Sequence, residues 1–278
     1  MKERTILVTG STDGIGRAAA GILARQGDRV LIHGRNPEKG RAVLEELKDR
    51  TGSDRLDLFI ADLSSPENIR QLAADVADRY DRLDVLINNA GVYMPERRLN
   101  SSGVEMTFAV NYLAPFLLTH ELLPLLRRSA PARIVSTASI AHRSVRGIDW
   151  ENLPAEEEYD PYEAYALSKL GIVAFTYRLA GMLEGTGVTA NCLHPGVIRT
   201  KLLRAFSGGG DGGGEPPEEG GAVEAYLATS PEVEGVNGRY YEKDHWAQSS
   251  PLSRDPAVQE RFWDIGLELN GLEEWSRG

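Results

Sequence analysis

The chain has 278 residues and a mass of 30.5 kDa, 41% hydrophobic and 26% charged, a globular composition that excludes a disordered or fibrous chain. Its 31 Lys and Arg against 41 Asp and Glu leave a formal net charge of −10, so its overall field does not draw it to nucleic acid or an anionic membrane. The length is within reach of one α/β domain, expected to span residues 1–278.

Short apolar runs alternate with helical patterns from the N-terminus. Strands are predicted near Thr5–Thr9, Arg29–His33, Arg55–Ala61, Leu83–Asn88, Ala132–Ala138 and Val188–Leu193. Each is almost continuously apolar, as in parallel strands covered on both faces. Helices are predicted between them over Ile15–Gln26, Pro37–Thr51, Pro66–Tyr80, Ser102–Ser129 and Pro161–Glu184. Pro66 stands at a first helical position, and Gly27 and Gly185 follow helix ends. The alternation implies right-handed βαβ units in a doubly wound parallel sheet of the Rossmann type, with about seven strands and helices on both faces. The stretch Ser207–Ala222 is rich in glycine and acids and offers no apolar residue to bury, so a flexible loop is expected there. It is either a surface insertion or a substrate lid. A short helix (Ala222–Thr229), a last strand (Gly238–Tyr241) and an amphipathic helix (Ala257–Leu269) within a C-terminal extension over 255–278 complete the set of predicted elements.

The first residues enter an apolar strand directly, without a signal-peptide pattern. The longest apolar stretch, Val110–Leu126, contains Asn111, Pro115, His120, Glu121 and Pro124, and reads as a buried helix and not a membrane span. The expectation is a cytoplasmic protein with no membrane anchor. Cys192 stands alone, which excludes an intramolecular disulfide, and the histidines lack metal-ligand spacing, so no metal is expected.

Gly10, Ser11, Thr12, Asp13, Gly14, Ile15 and Gly16 close the first predicted strand and open the first helix. Gly10 permits the tight turn, Gly14 lets the backbone approach a pyrophosphate, and Gly16 allows close helix–strand packing. The helix N-terminus offers unpaired N–H groups to phosphates. A glycine trio alone is weak, but its strand–turn–helix context points to a dinucleotide site.

The TGxxxGxG spacing of this loop, together with five motifs downstream of it in the chain, resembles the short-chain dehydrogenase/reductase family, in its compact, non-extended branch. Asn88-Asn89-Ala90-Gly91 matches the family's NNAG motif, Asn111 lies in the fourth helix, and Ser139 comes directly after the fifth strand. Tyr165 and Lys169 match YxxxK, and Pro195-Gly196 through Thr200 matches PGxxxT. The segment Arg133 to His142 and the residues Trp263-Asp264 and Leu269–Leu272 resemble the retinol-dehydrogenase-like subgroup. Its animal members are often membrane-anchored, whereas this sequence shows no N-terminal anchor and would be expected to be a soluble relative.

The resemblance implies contacts to a nicotinamide cofactor from the glycine loop, Asp62, Leu63, Asn89, Ala90, Gly91, Tyr165, Lys169, Pro195, Gly196, Val197 and Thr200. NAD-preferring members end the second strand with an acid for the ribose 2′-OH. Here Gly34 stands in that place, followed by Arg35, whose guanidinium suits a 2′-phosphate, and Lys39 adds charge. NADP(H) is expected, with NAD(H) as the alternative. Asp13 counts against it, because some NADP-preferring members carry a basic residue there. Arg35 as a solvated surface residue is the plain reading.

Tyr165 and Lys169 are four residues apart on a predicted helix and share a face. A free tyrosine has a pKa of about 10, while acid–base work near neutrality wants about 7, and closing that gap asks for roughly 4 kcal/mol. A lysine ammonium nearby favours the phenolate. The resemblance gives Tyr165 the proton transfer and Lys169 the nicotinamide ribose. It has Ser139 orient the substrate oxygen and Asn111 hold a water that links Lys169 to solvent. Taken alone, a Tyr-x-x-x-Lys pair is an ordinary helix-surface pair. Val92, Tyr93, Met94, Ile140, Leu202, Leu203, Phe206 and Trp246 are candidates for an apolar wall, which would suit a small lipophilic carbonyl or alcohol, or else simply pack the core.

The alternative to an oxidoreductase is a catalytically silent NADP(H)-binding sensor or scaffold. An extended-branch epimerase or dehydratase would carry TGxxGxxG spacing instead. Many relatives assemble through the helices that come after the fourth and fifth strands. The stretch Ile140–Ala164 is longer than in most compact members and carries Asp149, Trp150, Glu151, Asn152, Glu156–Glu158 and Tyr159. An acidic segment there would cover that face, so a monomer or dimer is expected and not a tetramer.

Overall fold

The computed structural model describes residues 3–153, 158–210 and 213–275. Glu156 and Glu157 of the long stretch before Tyr165, and part of the glycine-rich stretch, lie outside them. The first half of the chain alternates β1 (Thr5–Val8), α1 (Gly14–Arg25), β2 (Arg29–Gly34), α2 (Pro37–Thr51), β3 (Leu56–Ile60), α3 (Pro66–Arg79) and β4 (Val85–Asn88). A long helical run comes next, made of α4 (Met106–Phe108), a π-helical segment (Ala109–Leu113) and α5 (Ala114–Arg128). Then come β5 (Ala132–Thr137), a 3-10 turn (Ile140–Arg143), α6 (Pro161–Met182), β6 (Val188–His194), α7 (Lys201–Phe206) and α8 (Pro217–Thr229). The chain closes with a 3-10 turn (Pro231–Val233), β7 (Tyr240–Glu242), β8 (His245–Ala247), α9 (Pro251–Arg254) and α10 (Pro256–Leu269).

The strands form one sheet in the order β3-β2-β1-β4-β5-β6-β7-β8, parallel except for β8. Alternation along each strand assigns the residues to two cores. Leu7, Leu31, Leu86, Ile134 and Cys192 face α3, α5 and α6, while Ile6, Val8, Val30, Ile32, Val85, Ile87 and Val135 face α1, α2 and α8. The register aligns Leu7 with Leu31 and Leu86, so each layer of side chains continues across the sheet. Order reverses between β1 and β4. That switch point opens a crevice at the carboxyl ends of the strands.

Three differences from the sequence-based expectations have physical causes. The fourth-strand helix starts at Met106, not Ser102, because Glu105 accepts from the amides of Thr107 and Phe108, both at 2.8 Å, and caps it. The sheet gains β8, whose three residues are too short to show an alternating pattern. Within the glycine-rich stretch, residues 217–222 are helical. Gly220 and Gly221 are packing residues there: a β-carbon at Gly221 would lie 2.6 Å from the Ala19 backbone nitrogen, so α8 lies directly on α1. Glu215, just before this helix, exchanges backbone hydrogen bonds of 2.8 Å with Val197 and Arg199.

The run Met106–Arg128 is long and apolar enough to cross a membrane by length and composition, but 83% of its 18-residue apolar window is buried inside the protein. The C-terminal helix supplies part of that cover. Trp263 lies 5.2 Å from the Phe116 ring on α5 and stacks 5.9 Å from Phe175 on α6, and Trp275 adds a contact of 4.8 Å to Phe116. Trp150, from the stretch before Tyr165, packs 5.1 Å from Phe262.

Candidate active site

The ends of β1, β2, β4, β5 and β6 converge on a cleft of about 1030 Å³, roughly the size a dinucleotide with a small substrate requires. Thr9 ties two of these ends together: its hydroxyl oxygen accepts from the amides of Asn89 and Ala90, each at 3.0 Å, and Asn89 donates to its carbonyl at 2.7 Å. The glycine loop is therefore held against the Asn-Asn-Ala-Gly turn. A β-carbon at Gly10 would lie 2.9 Å from Ala90 Cα, and Gly10 has φ +66°, so only glycine fits there. Gly16 is buried, and a β-carbon on it would come within 2.3 Å of Asn89 Nδ2.

Two residues of the expected cofactor loop do not face the cleft. Ser11 is fully buried, donating to Val8 O at 2.8 Å and accepting from the His33 amide at 2.9 Å, and it shapes the turn from within. Gly16 likewise acts through packing. The others line the cleft, namely Gly10, Thr12, Asp13, Gly14 and Ile15, with Arg35 and Lys39 beyond β2 and Asp62 and Leu63 beyond β3. Asp62 also accepts from the Ser64 amide and hydroxyl at 2.9 and 2.8 Å, so it closes its own turn as well.

The structure bears directly on position 34. A β-carbon at Gly34 would lie 2.5 Å from Thr12 Cγ2 and 2.9 Å from its hydroxyl, so Thr12 fills the space an acid would need. The place of a ribose-binding carboxylate is closed, while the exposed Arg35 beside it is open to an anion. Gly34→Asp is expected to lose about 1–3 kcal/mol of stability through overpacking, and adding Thr12→Gly to restore most of it. Urea unfolding reads both, and an unchanged midpoint for Gly34→Asp contradicts this packing.

Asp13 caps α1, accepting from the Gly14 amide at 2.9 Å, and is bridged by Lys39 at 2.5 Å and Lys201 at 2.9 Å. Burial raises its pKa, but the hydrogen bonds from the two lysines outweigh this and hold it at about 2. Its charge, which would repel a phosphate, is thus neutralised in place. Lys201 was missed in the sequence, since nothing near the PGxxxT segment signals a partner on the glycine loop. Gly14 is open except toward Thr200, whose methyl group would lie 3.1 Å from an added β-carbon, so Thr200 stands over the loop. These are the features a dinucleotide requires: a helix N-terminus, a cradle without side chains and surrounding cations.

On the opposite wall, Ser139, Tyr165 and Lys169 come together. Tyr165 and Lys169 lie on α6, with the Lys169 ammonium 5.7 Å from the Tyr165 ring centre. Burial pushes the Tyr165 hydroxyl up to about 12, against the opposing effect of the Ser139 hydroxyl within hydrogen-bond reach. Lys169 is also buried, which lowers it to about 8, and it donates to Thr137 O at 2.7 Å. Asn111 sits in the π-helical segment, behind Gly91 and off the cleft wall. It accepts from the Val92 amide at 2.7 Å and donates to Val92 O at 2.9 Å and Ser168 Oγ at 3.1 Å. Beyond β6, Pro195, Gly196 and Val197 line the cleft floor, with Gly196 at φ +101°.

With this geometry in view, the short chain dehydrogenase family model matches residues 4–208. The chain belongs to that family. Retinol dehydrogenase 13 of Mus musculus is 38% identical over 97% of this chain and 84% of its own length. Polyprenol dehydrogenase of Homo sapiens is 36% identical over 97% and 86%. These relatives place the chain in the retinol-dehydrogenase-like subgroup. Among solved structures, a short chain dehydrogenase from Escherichia coli CFT073 in complex with NADPH is 31% identical, with a TM-score of 0.72 over 88% of this chain and 98% of that one. An uncharacterised protein from Mycobacterium paratuberculosis reaches a TM-score of 0.81 at 26% identity over 98% and 95%.

As a short-chain dehydrogenase/reductase, the protein is an oxidoreductase with a nicotinamide-cofactor fold, and the end of the cleft beyond Tyr165 is apolar. Tyr93 packs edge-on to Tyr165 at 5.9 Å and against Phe206 at 5.3 Å, and Tyr162 meets Phe206 at 5.6 Å. Val92, Ile140, Tyr162, Val197, Leu202, Leu203 and Phe206 line this end. Tyr93, Met94 and Trp246 do not, Tyr93 standing behind Tyr165 and Phe206. Met94 offers only its carbonyl, to Tyr159 at 2.7 Å, and Trp246 is 63% exposed on β8. Two histidines support the site from behind. His33 accepts from the Gly10 amide at 3.1 Å, so its other nitrogen carries the proton that bonds Ala61 O at 3.2 Å. His142 accepts from the Ser250 amide at 3.0 Å and holds the Ser139 carbonyl at 2.6 Å.

Proposed function

We propose that the protein is an NADP(H)-dependent reductase of lipophilic carbonyl compounds, with the corresponding alcohol oxidation as its reverse. The observation that carries this reading is the convergence of Ser139, Tyr165 and Lys169 on one wall of a cleft whose other wall is the glycine loop with Arg35. The nicotinamide supplies the hydride. Tyr165 gives its proton to the substrate oxygen, and Ser139 orients that oxygen and stabilises the charge it develops. Tyr165 is protonated at neutral pH and so able to donate, but burial pushes it up to about 12 and not down toward 7 as the sequence suggests, so the burial that shapes the site works against its acidity. After transfer, the Lys169 ammonium, 5.7 Å from the centre of the Tyr165 ring, stabilises the phenolate. Burial helps here, since a charge pair acts more strongly away from water.

Arg35, Lys39 and Lys201 support NADP(H) over NAD(H), because these three cations outnumber the two acids of that end of the cleft, Asp13 and Asp62. The aromatic lining of Tyr162 and Phe206, backed by Tyr93, supports an apolar substrate. NADPH consumption against a panel of long-chain aldehydes, aromatic ketones and quinones tests the reading. Turnover of at least one class is expected, and tight NADPH binding with no turnover would favour the silent sensor.

The reading includes a monomer or dimer. Its support differs from the acidic cover anticipated in the sequence: the face of α5 and α6 is overlaid by Phe262, Trp263 and Trp275 of the C-terminal region. Light scattering at micromolar concentration is expected to give a monomer or dimer mass, and a tetramer mass contradicts it.

A further inference from the structure

On the face of the sheet opposite α6, α8 buries one carboxyl completely. Glu224 is 0% exposed and sits between Val223 and Ala225, in a largely aliphatic layer. Its Oε1 accepts from the Thr137 hydroxyl at 2.7 Å, and its Oε2 is buried with no partner. Thr137 is also the residue whose carbonyl accepts from the Lys169 ammonium at 2.7 Å. One residue of β5 therefore joins a buried acid below the sheet to the active-site lysine above it.

The other charged groups near α8 are committed elsewhere. On α1, Arg17 pairs with Glu46, and Arg25 closes the far end of that helix. On β5, Arg133 donates to Leu227 O at 3.1 Å. No residue of β4 (Val85–Asn88) is ionisable, and Glu218 and Glu219 lie in the first turn of α8 itself. Lys169 is the charge whose field reaches Glu224, and Glu224 the charge whose field reaches Lys169.

We propose that Glu224 is a positioning residue for Lys169: through Thr137 it fixes the carbonyl that anchors the ammonium, and as its carboxyl ionises the negative charge holds the proton on that buried ammonium. The proposal rests on the reading of Lys169 as the cation that supports Tyr165, and it adds a residue that touches neither substrate nor cofactor. Burial disfavours charge on both groups, lowering the lysine to about 8 and raising the carboxyl to about 8, so each one's ionised form depends on the other's. A carboxyl raised in the folded state costs stability once it ionises: the native state loses stability as pH climbs from about 4.5 toward about 8. A fold-holding role would show the opposite slope.

The decisive experiment tracks the Lys169 Nζ signal by NMR in 15N-lysine-labelled protein without cofactor, assigned by its loss in Lys169→Met. Glu224→Gln keeps an acceptor for the Thr137 hydroxyl and removes the charge. Its Lys169 titration midpoint is expected to fall by about one pH unit or more relative to wild type. Thr137→Val, which takes away the hydroxyl that favours the carboxylate, is expected to move the midpoint in the same direction and decides the matter if the glutamine variant does not fold. A Lys169 midpoint unchanged in the folded variant overturns the proposal. Because the measurement needs no turnover, a protein that reduced no carbonyl at all would count against the proposed function and leave this result standing.

Discussion

Tyr165→Phe is expected to lower turnover of an accepted carbonyl substrate at least ~10²-fold, the contribution of a positioned general acid. The substitution removes one oxygen from a residue that is 8% exposed. The ring that packs edge-on to Tyr93 at 5.9 Å remains, so the wall of the cleft keeps its shape. Ser139 stays in place, held by the His142 contact to its carbonyl. NADPH binding should survive, since the glycine loop and Arg35 lie on the opposite wall. Steady-state kinetics beside a fluorescence titration of NADPH separates the two effects. Near-wild-type turnover in Tyr165→Phe would remove Tyr165 from the proton-transfer role.

Arg35→Ala should weaken NADPH by about 1.5–3 kcal/mol, the range for a hydrogen bond to a charged group, which is roughly ten- to a hundredfold. NADH should be almost unaffected, because it lacks the phosphate that Arg35 would meet. The closed space at Gly34, where Thr12 would lie 2.5 Å from any β-carbon, makes the competing acid-based recognition of the 2′-OH sterically unavailable. Lys39 remains in the variant, but it is already engaged by Asp13 at 2.5 Å, so it does not replace the guanidinium. Titrating both nucleotides against wild type and variant decides the assignment, and equal losses for NADPH and NADH would refute it.

The sheet was legible because parallel strands buried on both faces write themselves as continuous apolar runs, and each of β1 to β6 overlaps its predicted range. β8 was not legible: His245, Trp246 and Ala247 pair at an edge, where neither burial nor alternation marks them. The glycine loop, Ser139, Tyr165 and Lys169 were readable from their motifs, which prescribe spacing along the chain. What the motifs do not carry is contact across it. Lys201 reaching Asp13, His33 holding Gly10 and Glu224 standing behind Thr137 join residues far apart in sequence, and each residue taken alone reads as ordinary strand or helix. The glycines at 220 and 221 show the same limit from the other side. Composition assigns them to a loop, whereas Gly221 lets α8 lie against Ala18 and Ala19 of α1 and Gly220 packs on Ile15 and Ile198.

The central claim is that one cleft holds NADP(H) on its glycine-loop wall and reduces a lipophilic carbonyl on its Ser139–Tyr165–Lys169 wall. It is tested most directly by monitoring NADPH absorbance with wild-type protein and Tyr165→Phe side by side, across a panel of apolar aldehydes and ketones. The account predicts that wild type consumes NADPH with at least one of them, and that Tyr165→Phe binds NADPH equally well while consuming it at least ~10²-fold more slowly. Wild-type protein that binds NADPH and consumes none of it with any carbonyl, and reduces no NADP+ with the matching alcohols, would contradict it.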